Sequence, residues 1–189
     1  MNTCKYYYLE NKLQLRPILT LDKEEKNADG DVISCFFKIK NFSGKKFVFG
    51  DFLQAPSGEL FREGLADIIK KTVPENVKFI PAKIIDPAEN VMEDYILIKT
   101  YNIYEAMDKE RSEFEYDDQV EEEGVVDPNR IYQLYFDVNI LNDIPLKNRL
   151  IFRLDESWKV YYHQLIVDAI KKDYPESNIL FTDSETYNG

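Results

Sequence analysis

His163 is the single histidine of a 189-residue chain, and Cys4 and Cys35 are its only thiols. A Ser–His–Asp or Cys–His nucleophilic site would have to be built on that one imidazole. His163 stands between Tyr162 and Gln164, beside the apolar positions of a helix-like segment. That setting suits a surface or boundary histidine better than a general base. Two widely separated thiols give neither a disulfide framework nor metal-ligand spacing. HExxH, CxxC, GxSxG and the glycine patterns of phosphate-binding loops are all missing, and there are only 7 Gly. Carboxylates remain. Glu63 and Asp67 are spaced i, i+4, and in a cleft such a pair could do acid–base work. On a solvated helix face they would only repel slightly. The Glu121–Glu123 run lacks the ligand spacing of a calcium loop. The expectation is a protein with no catalytic residues, no cofactor and no metal.

Charge points to macromolecular recognition instead. There are 35 acidic and 24 basic residues, a formal net charge of −11. This balance removes the main electrostatic term for binding nucleic acid and disfavours anionic membranes. It would steer a basic protein partner toward the chain, or serve solubility alone. The acids concentrate in EFEYDDQVEEEGVVD, Glu113 to Asp127, which has no apolar period and reads as a loop or insertion. The candidate partner-binding residues are Glu113, Phe114, Glu115, Tyr116, Asp117, Asp118, Glu121, Glu122 and Glu123. Trp158, the only tryptophan, reads as a core residue first and an interface anchor second. The N-terminus lacks the basic segment and apolar run of an export signal, so a reducing cytoplasmic setting is expected.

The elements that would carry these residues are mixed. With 12 Phe and 13 Tyr the chain can fill a core. Strand composition occurs at Cys4–Leu9, Ile33–Lys40, Lys46–Phe49, Val77–Ile85 (broken by Pro81), Tyr95–Tyr101, Arg130–Val138, Leu150–Leu154 and Ile179–Thr182. Ala28-Asp29-Gly30-Asp31 is a turn signal. Two helices are expected. In the first, Phe61, Leu65, Ile68 and Ile69 share a face, Ser57 caps the start, and the body runs from Leu60 to Lys71. In the second, Tyr161 to Lys172, the face is Tyr162, Leu165, Ile166, Ala169 and Ile170. The predicted class is α+β, a mostly antiparallel or mixed sheet with two main helices. It forms a single domain over 1–189, with a strand-rich part at 1–45.

The two helical segments also echo each other. At an offset of 101 residues, Asp67, Ile69, Lys70, Lys71, Pro74 and Glu75 fall on Asp168, Ile170, Lys171, Lys172, Pro175 and Glu176. Phe61 falls on Tyr162 and Leu65 on Ile166. Either a helix–turn–strand unit is duplicated, or Lys-Lys-x-x-Pro is a shared way of leaving a helix.

Between about residues 45 and 185 the order of segments resembles a bacterial immunity family. The segments are Gly50-Asp51-Phe52-Leu53, Ser57-Gly58-Glu59-Leu60, Val77-Lys78-Phe79-Ile80-Pro81, Tyr95 to Tyr101 running into Asn102-Ile103-Tyr104-Glu105-Ala106-Met107-Asp108, and Leu150-Ile151-Phe152-Arg153-Leu154. The family is the eleventh of the numbered immunity series, encoded beside polymorphic toxins. The resemblance implies a non-catalytic protein that binds and neutralises a cognate secreted toxin. It supplies no catalytic residues, and the acidic stretch looks like an insertion relative to the family pattern. A non-enzymatic adaptor or chaperone-like module of a secretion system is the alternative reading, and a carboxylate-based hydrolase a third. Self-association of the free protein is left open.

Overall fold

A computed structural model describes residues 5–12, 17–40, 47–86, 88–116, 128–157 and 159–184. The order is β1 (Tyr6–Asn11), β2 (Leu19–Lys26), β3 (Val32–Ile39), β4 (Phe52–Ala55), β5 (Gly58–Phe61), α1 (Glu63–Lys71), β6 (Val77–Ile85), β7 (Val91–Thr100), β8 (Ile103–Tyr104), β9 (Glu113–Tyr116), β10 (Pro128–Gln133), α2 (Val138–Asp143), β11 (Ile151–Leu154), β12 (Val160–His163), α3 (Gln164–Asp173) and β13 (Ile179–Asp183). The class is α+β, as the composition predicts. A six-stranded sheet runs β2-β3-β6-β7-β5-β4, a five-stranded sheet runs β13-β1-β12-β11-β8, and β9 and β10 pair by themselves.

The two echoing segments sit in units of the same topology, larger than helix–turn–strand. In the first half a hairpin, β4 and β5, leads through α1 to β6, with β7 inserted antiparallel between β5 and β6. In the second a hairpin, β11 and β12, leads through α3 to β13, with β1 inserted antiparallel between β12 and β13. The strand order β4-β5-β7-β6 therefore recurs as β11-β12-β1-β13. Phe52 pairs with Phe61 in one hairpin and Ile151 with Tyr162 in the other. The inserted strand follows the unit in the first half and comes from the far end of the chain in the second.

The helices begin later than their apolar faces suggest. Gly58–Phe61 and Val160–His163 are strands, so Ser57 caps nothing, and Phe61 and Tyr162 do not belong to helix faces. The reason is that each sheet is covered on both sides. Leu60 and Phe61 are both enclosed, but in different clusters on opposite faces, as are Tyr161 and Tyr162. A strand buried on both faces reads as an unbroken apolar run, which merges into the helix that follows it. Pro81 does not break β6. The parallel β3 ladder starts only at Ala82, so at Pro81 the strand has one neighbour, β7, and the missing N–H is tolerated. The strand expected at Lys46–Phe49 is not formed at residues 47–49, and Lys46 lies outside the described residues. Residues 47–50 lead into β4, and the predicted strand from Arg130 to Val138 ends early and gives way to α2. Asp137 caps α2, its carboxylate accepting from the Asn139 and Ile140 amides at 2.9 and 3.3 Å.

One core joins the halves. It contains Phe52, Phe61, Leu65, Ile69 and Ile98 from the first, and Leu9, Ile151, Tyr162, Ile166, Ile170 and Ile179 from the second. Polar ties reinforce it. Thr100 Oγ1 donates to the Ile151 carbonyl at 2.9 Å, and Asn102 Nδ2 donates to the Glu75 carbonyl at 2.8 Å and to Ile151 O at 3.1 Å. Asp51 and Asn178 exchange backbone-to-side-chain hydrogen bonds at 3.0 and 3.2 Å. Two further clusters fill the outer face of each sheet.

Candidate functional site

The acidic stretch does not begin as a loop. Glu113–Tyr116 alternates charged and aromatic residues, the period of a strand, and it pairs antiparallel with β10. Phe114 and Ile131 face each other across the ladder and pack, half-buried, on the core cluster of Tyr6, Phe136 and Phe152. Glu113 and Glu115 therefore point outward and are exposed. Tyr116 is placed by its backbone opposite Pro128. Asp117, Asp118, Glu121, Glu122 and Glu123 lie outside the described residues. Phe114 anchors the hairpin to the core of its own protein.

The hairpin base is fastened from below. Ser112 Oγ accepts the Tyr135 amide at 2.9 Å, and the Asp108 amide donates to the Tyr135 carbonyl at 2.9 Å. Asp108 Oδ1 accepts the Glu110 and Arg111 amides, both at 3.2 Å. The Arg111 guanidinium lies 4.2 Å from the Tyr135 ring centroid.

A second site lies between the halves and was not foreseen. A cavity of about 550 Å³ opens between the β4–β5 turn, the end of β7, β1 and the β11–β12 hairpin. Its lining includes Glu59, Ser57, Lys99, Arg153, Lys159 and Tyr8, with Leu9, Ile98 and Val160 as apolar wall. Glu59 is only 6% exposed and accepts a hydrogen bond from the Tyr162 hydroxyl. Burial pushes its pKa up to about 8, against a lowering by that hydrogen bond, so at neutral pH the group is an uncharged acid. Burial and the neighbouring carboxyl push the Tyr162 phenol up as well. Ser57 Oγ is enclosed with no hydrogen-bond partner among the described residues. Gly58 closes the turn at φ +150°, and a Cβ there would stand 2.6 Å from the Ile98 carbonyl oxygen. Ser57 reads from the sequence as a helix cap, whereas it stands in the turn between two strands.

The remaining candidates are dispersed. His163 is 6% exposed, not a surface residue. It forms the N-cap of α3, with Nδ1 accepting the Leu165 amide at 3.1 Å, and its ring is edge-on to Tyr6. Burial, helped by the Arg149 charge, lowers its pKa and favours the neutral ring. The reason for the misplacement is the late helix start, which turns a presumed helix-flank position into the last residue of a buried strand. Glu63 and Asp67 are exposed on α1, and Asp67 is bonded to Lys70 at 3.1 Å. Cys35 is buried in the core of the six-stranded sheet, and burial raises its thiol pKa. Trp158 and Cys4 lie outside the described residues. Among the described residues, no helix is long and apolar enough to cross a membrane. No three metal-ligating side chains cluster among them either. Compared with models of protein families and with curated proteins, the chain matches none.

Proposed function

We propose that the chain is a non-catalytic immunity protein that binds and neutralises a cognate secreted bacterial toxin in the cytoplasm, using the β9–β10 hairpin and its acidic segment as the contact surface. The hairpin carries this reading. Glu113 and Glu115 are displayed on a strand whose other face is pinned to the core through Phe114 and Ile131. A fixed base loses less conformational entropy on docking than a free loop would. The acidic charge suits a basic cleft, such as that of a nuclease-like toxin, and would raise the association rate through field steering. The order of segments resembling the immunity family supports the same reading.

The test is growth rescue. A candidate toxin domain from a neighbouring gene is expressed with the intact chain and with a variant carrying Glu121→Gln, Glu122→Gln and Glu123→Gln. The intact chain should restore growth. The variant should associate with the toxin more slowly at low salt than at moderate salt relative to the intact chain. Failure of the intact chain to rescue growth or to bind would end the immunity reading. An association rate unchanged at both salts would assign the acidic run to solubility.

A further inference from the structure

We propose that the outer edge of β13 takes up an extended acidic peptide segment as an added strand, with one of its carboxylates held at Lys171 beside the end of α3. The inference is independent of toxin binding at β9–β10, because β13 stands at the edge of another sheet. Three observations carry it.

The first is the edge itself. β13 ends the strand order of the five-stranded sheet, and its outer side pairs with no strand among the described residues. Exposed edges are commonly blunted by lysine, proline or a bulge. β2, at one edge of the six-stranded sheet, carries Lys23 and Lys26 and two register shifts. β13 has none of these devices. Ile179–Asp183 pairs with β1 in unbroken register, and Leu180 is 46% exposed. Its only charged residue, Asp183 at the end, is paired with Lys5 at 3.2 Å. A straight apolar edge offers an extended peptide a row of backbone hydrogen bonds.

The second is a difference between the two halves. In the first, Lys70 Nζ lies 5.5 Å from the Phe79 ring centroid and is bonded to Asp67 at 3.1 Å. Lys171 is its counterpart in the second, 5.2 Å from the Phe181 centroid and 5.5 Å from that of Tyr7. Asp168, the counterpart of Asp67, is bonded to Gln164 at 2.5 Å instead. Lys171 therefore keeps its aromatic seat without the carboxylate, and it is exposed.

The third is a cavity of about 230 Å³ between the end of α3 and β13, with Lys171 and Lys12 at it and Tyr174, Pro175, Ile179 and Phe181 as walls. It is smaller than an ordinary small-ligand pocket and suits a single side chain. Its lining holds two cations and no acid, in a chain of net charge −11. Lys12 already donates to the Ser177 carbonyl at 3.4 Å, so Lys171 is the cation a carboxylate meets. Ile179 and Phe181 share the α3 side of β13, and alternate residues of an added strand would face the same side. The main chain of the peptide would then supply affinity and its acidic side chain selectivity.

The experiment is amide-resolved NMR of the full chain titrated with a blocked hexapeptide of valine and threonine carrying one central glutamate. Three controls accompany it: the same peptide with glutamine in place of glutamate, the same peptide with one N-methylated backbone amide, and glutarate alone. The glutamate peptide should give saturable shifts at Lys171, Tyr174, Leu180, Phe181 and Thr182. The glutamine peptide should bind about threefold to fivefold more weakly, and the N-methylated one about tenfold more weakly. Lys171→Gln should bring the glutamate peptide down to the affinity of the glutamine peptide. If that variant fails to fold, the peptide comparisons on the unmodified chain still decide. Equal binding of the glutamate and glutamine peptides, equal binding of the N-methylated peptide, or no saturable shift overturns the proposal. Glutarate binding as tightly as the peptide also overturns it, since the cavity would then hold a free carboxylate and the edge no strand. So do shifts of the same amides with protein concentration alone, which would give the edge to a second copy of the chain.

Discussion

Tyr162, in the second duplicated half, donates its phenolic proton to the carboxyl of Glu59 in the first, and both side chains are enclosed in the shared core. They are not equivalent positions. The equivalent of Tyr162 is Phe61, whose ring lies 6.1 Å away, centroid to centroid. The pair thus places a polar contact in the middle of a duplicated apolar core, and it governs two expected behaviours.

The first is a dependence on pH. Glu59 has a folded pKa raised from 4.5 to about 8. As pH rises through that window the unfolded chain ionises while the folded one does not, so the folded state binds more protons and loses stability. The group's contribution is most favourable below pH 4.5 and has fallen fully only above about pH 8. Glu59→Gln keeps an acceptor for Tyr162 and cannot ionise. Its thermal midpoint should exceed that of the parent at the upper end of the window and approach it at the lower end. A constant difference across the window would show that Glu59 does not titrate as described.

Tyr162→Phe removes the donor and leaves a buried carboxyl unsatisfied, which should cost about 1–3 kcal/mol. Paired with Glu59→Gln in a double-mutant cycle measured by denaturant unfolding, the two changes should be non-additive. Strict additivity would mean that the contact contributes nothing.

Ile69 and Ile170 occupy matching positions on α1 and α3, and both are fully buried in the common core. Truncation of either to Ala should cost about 2–5 kcal/mol. The double variant should show coupling if the helices share one core. Two separate unfolding transitions in either variant would contradict that.

Gly58→Ala and Gly30→Ala separate crowding from backbone strain. Gly30, at φ +86°, has open space where a Cβ would go, whereas at Gly58 the Cβ would meet the Ile98 carbonyl. Gly30→Ala should cost about 1–2 kcal/mol, the left-handed penalty alone. Gly58→Ala should cost more, since β5 must also move away from β7, and chemical denaturation of the two variants gives the comparison.

The sequence made the class, the internal echo and most central strands legible, because those rest on apolar composition and on the matched Lys-Lys-x-x-Pro exits. The burial of Ile69 and Ile170 agrees with the echo. Helix starts were not legible. Phe61 and Tyr162 lie at helical spacing from Leu65 and Ile166, yet they belong to strands covered on both sides, and no periodicity separates the two states over so short a run. The strand β9 was hidden by charge. Glu113 and Glu115 mask an alternation whose inward member is Phe114. The cleft was invisible for another reason, as Glu59, Lys99 and Arg153 are distant in sequence and meet only through the joining of the two halves.

The borrowed strand β1 has a kinetic consequence. In the first half, every strand of the β4-β5-β7-β6 unit lies in one continuous stretch of chain, so its pairings close over short loops. In the second, Tyr7 must pair with Tyr162 on one side and Asp183 on the other. Such distant pairing carries the larger loop-closure cost and forms late. During synthesis β1 leaves the ribosome early but must wait for β12 and β13. Tyr6 and Tyr8 are exposed during that wait, and an unpaired aromatic strand is a template for wrong association. Amide protection in pulse-labelled refolding should therefore appear in β5, β6 and β7 before it appears in β1 and β13.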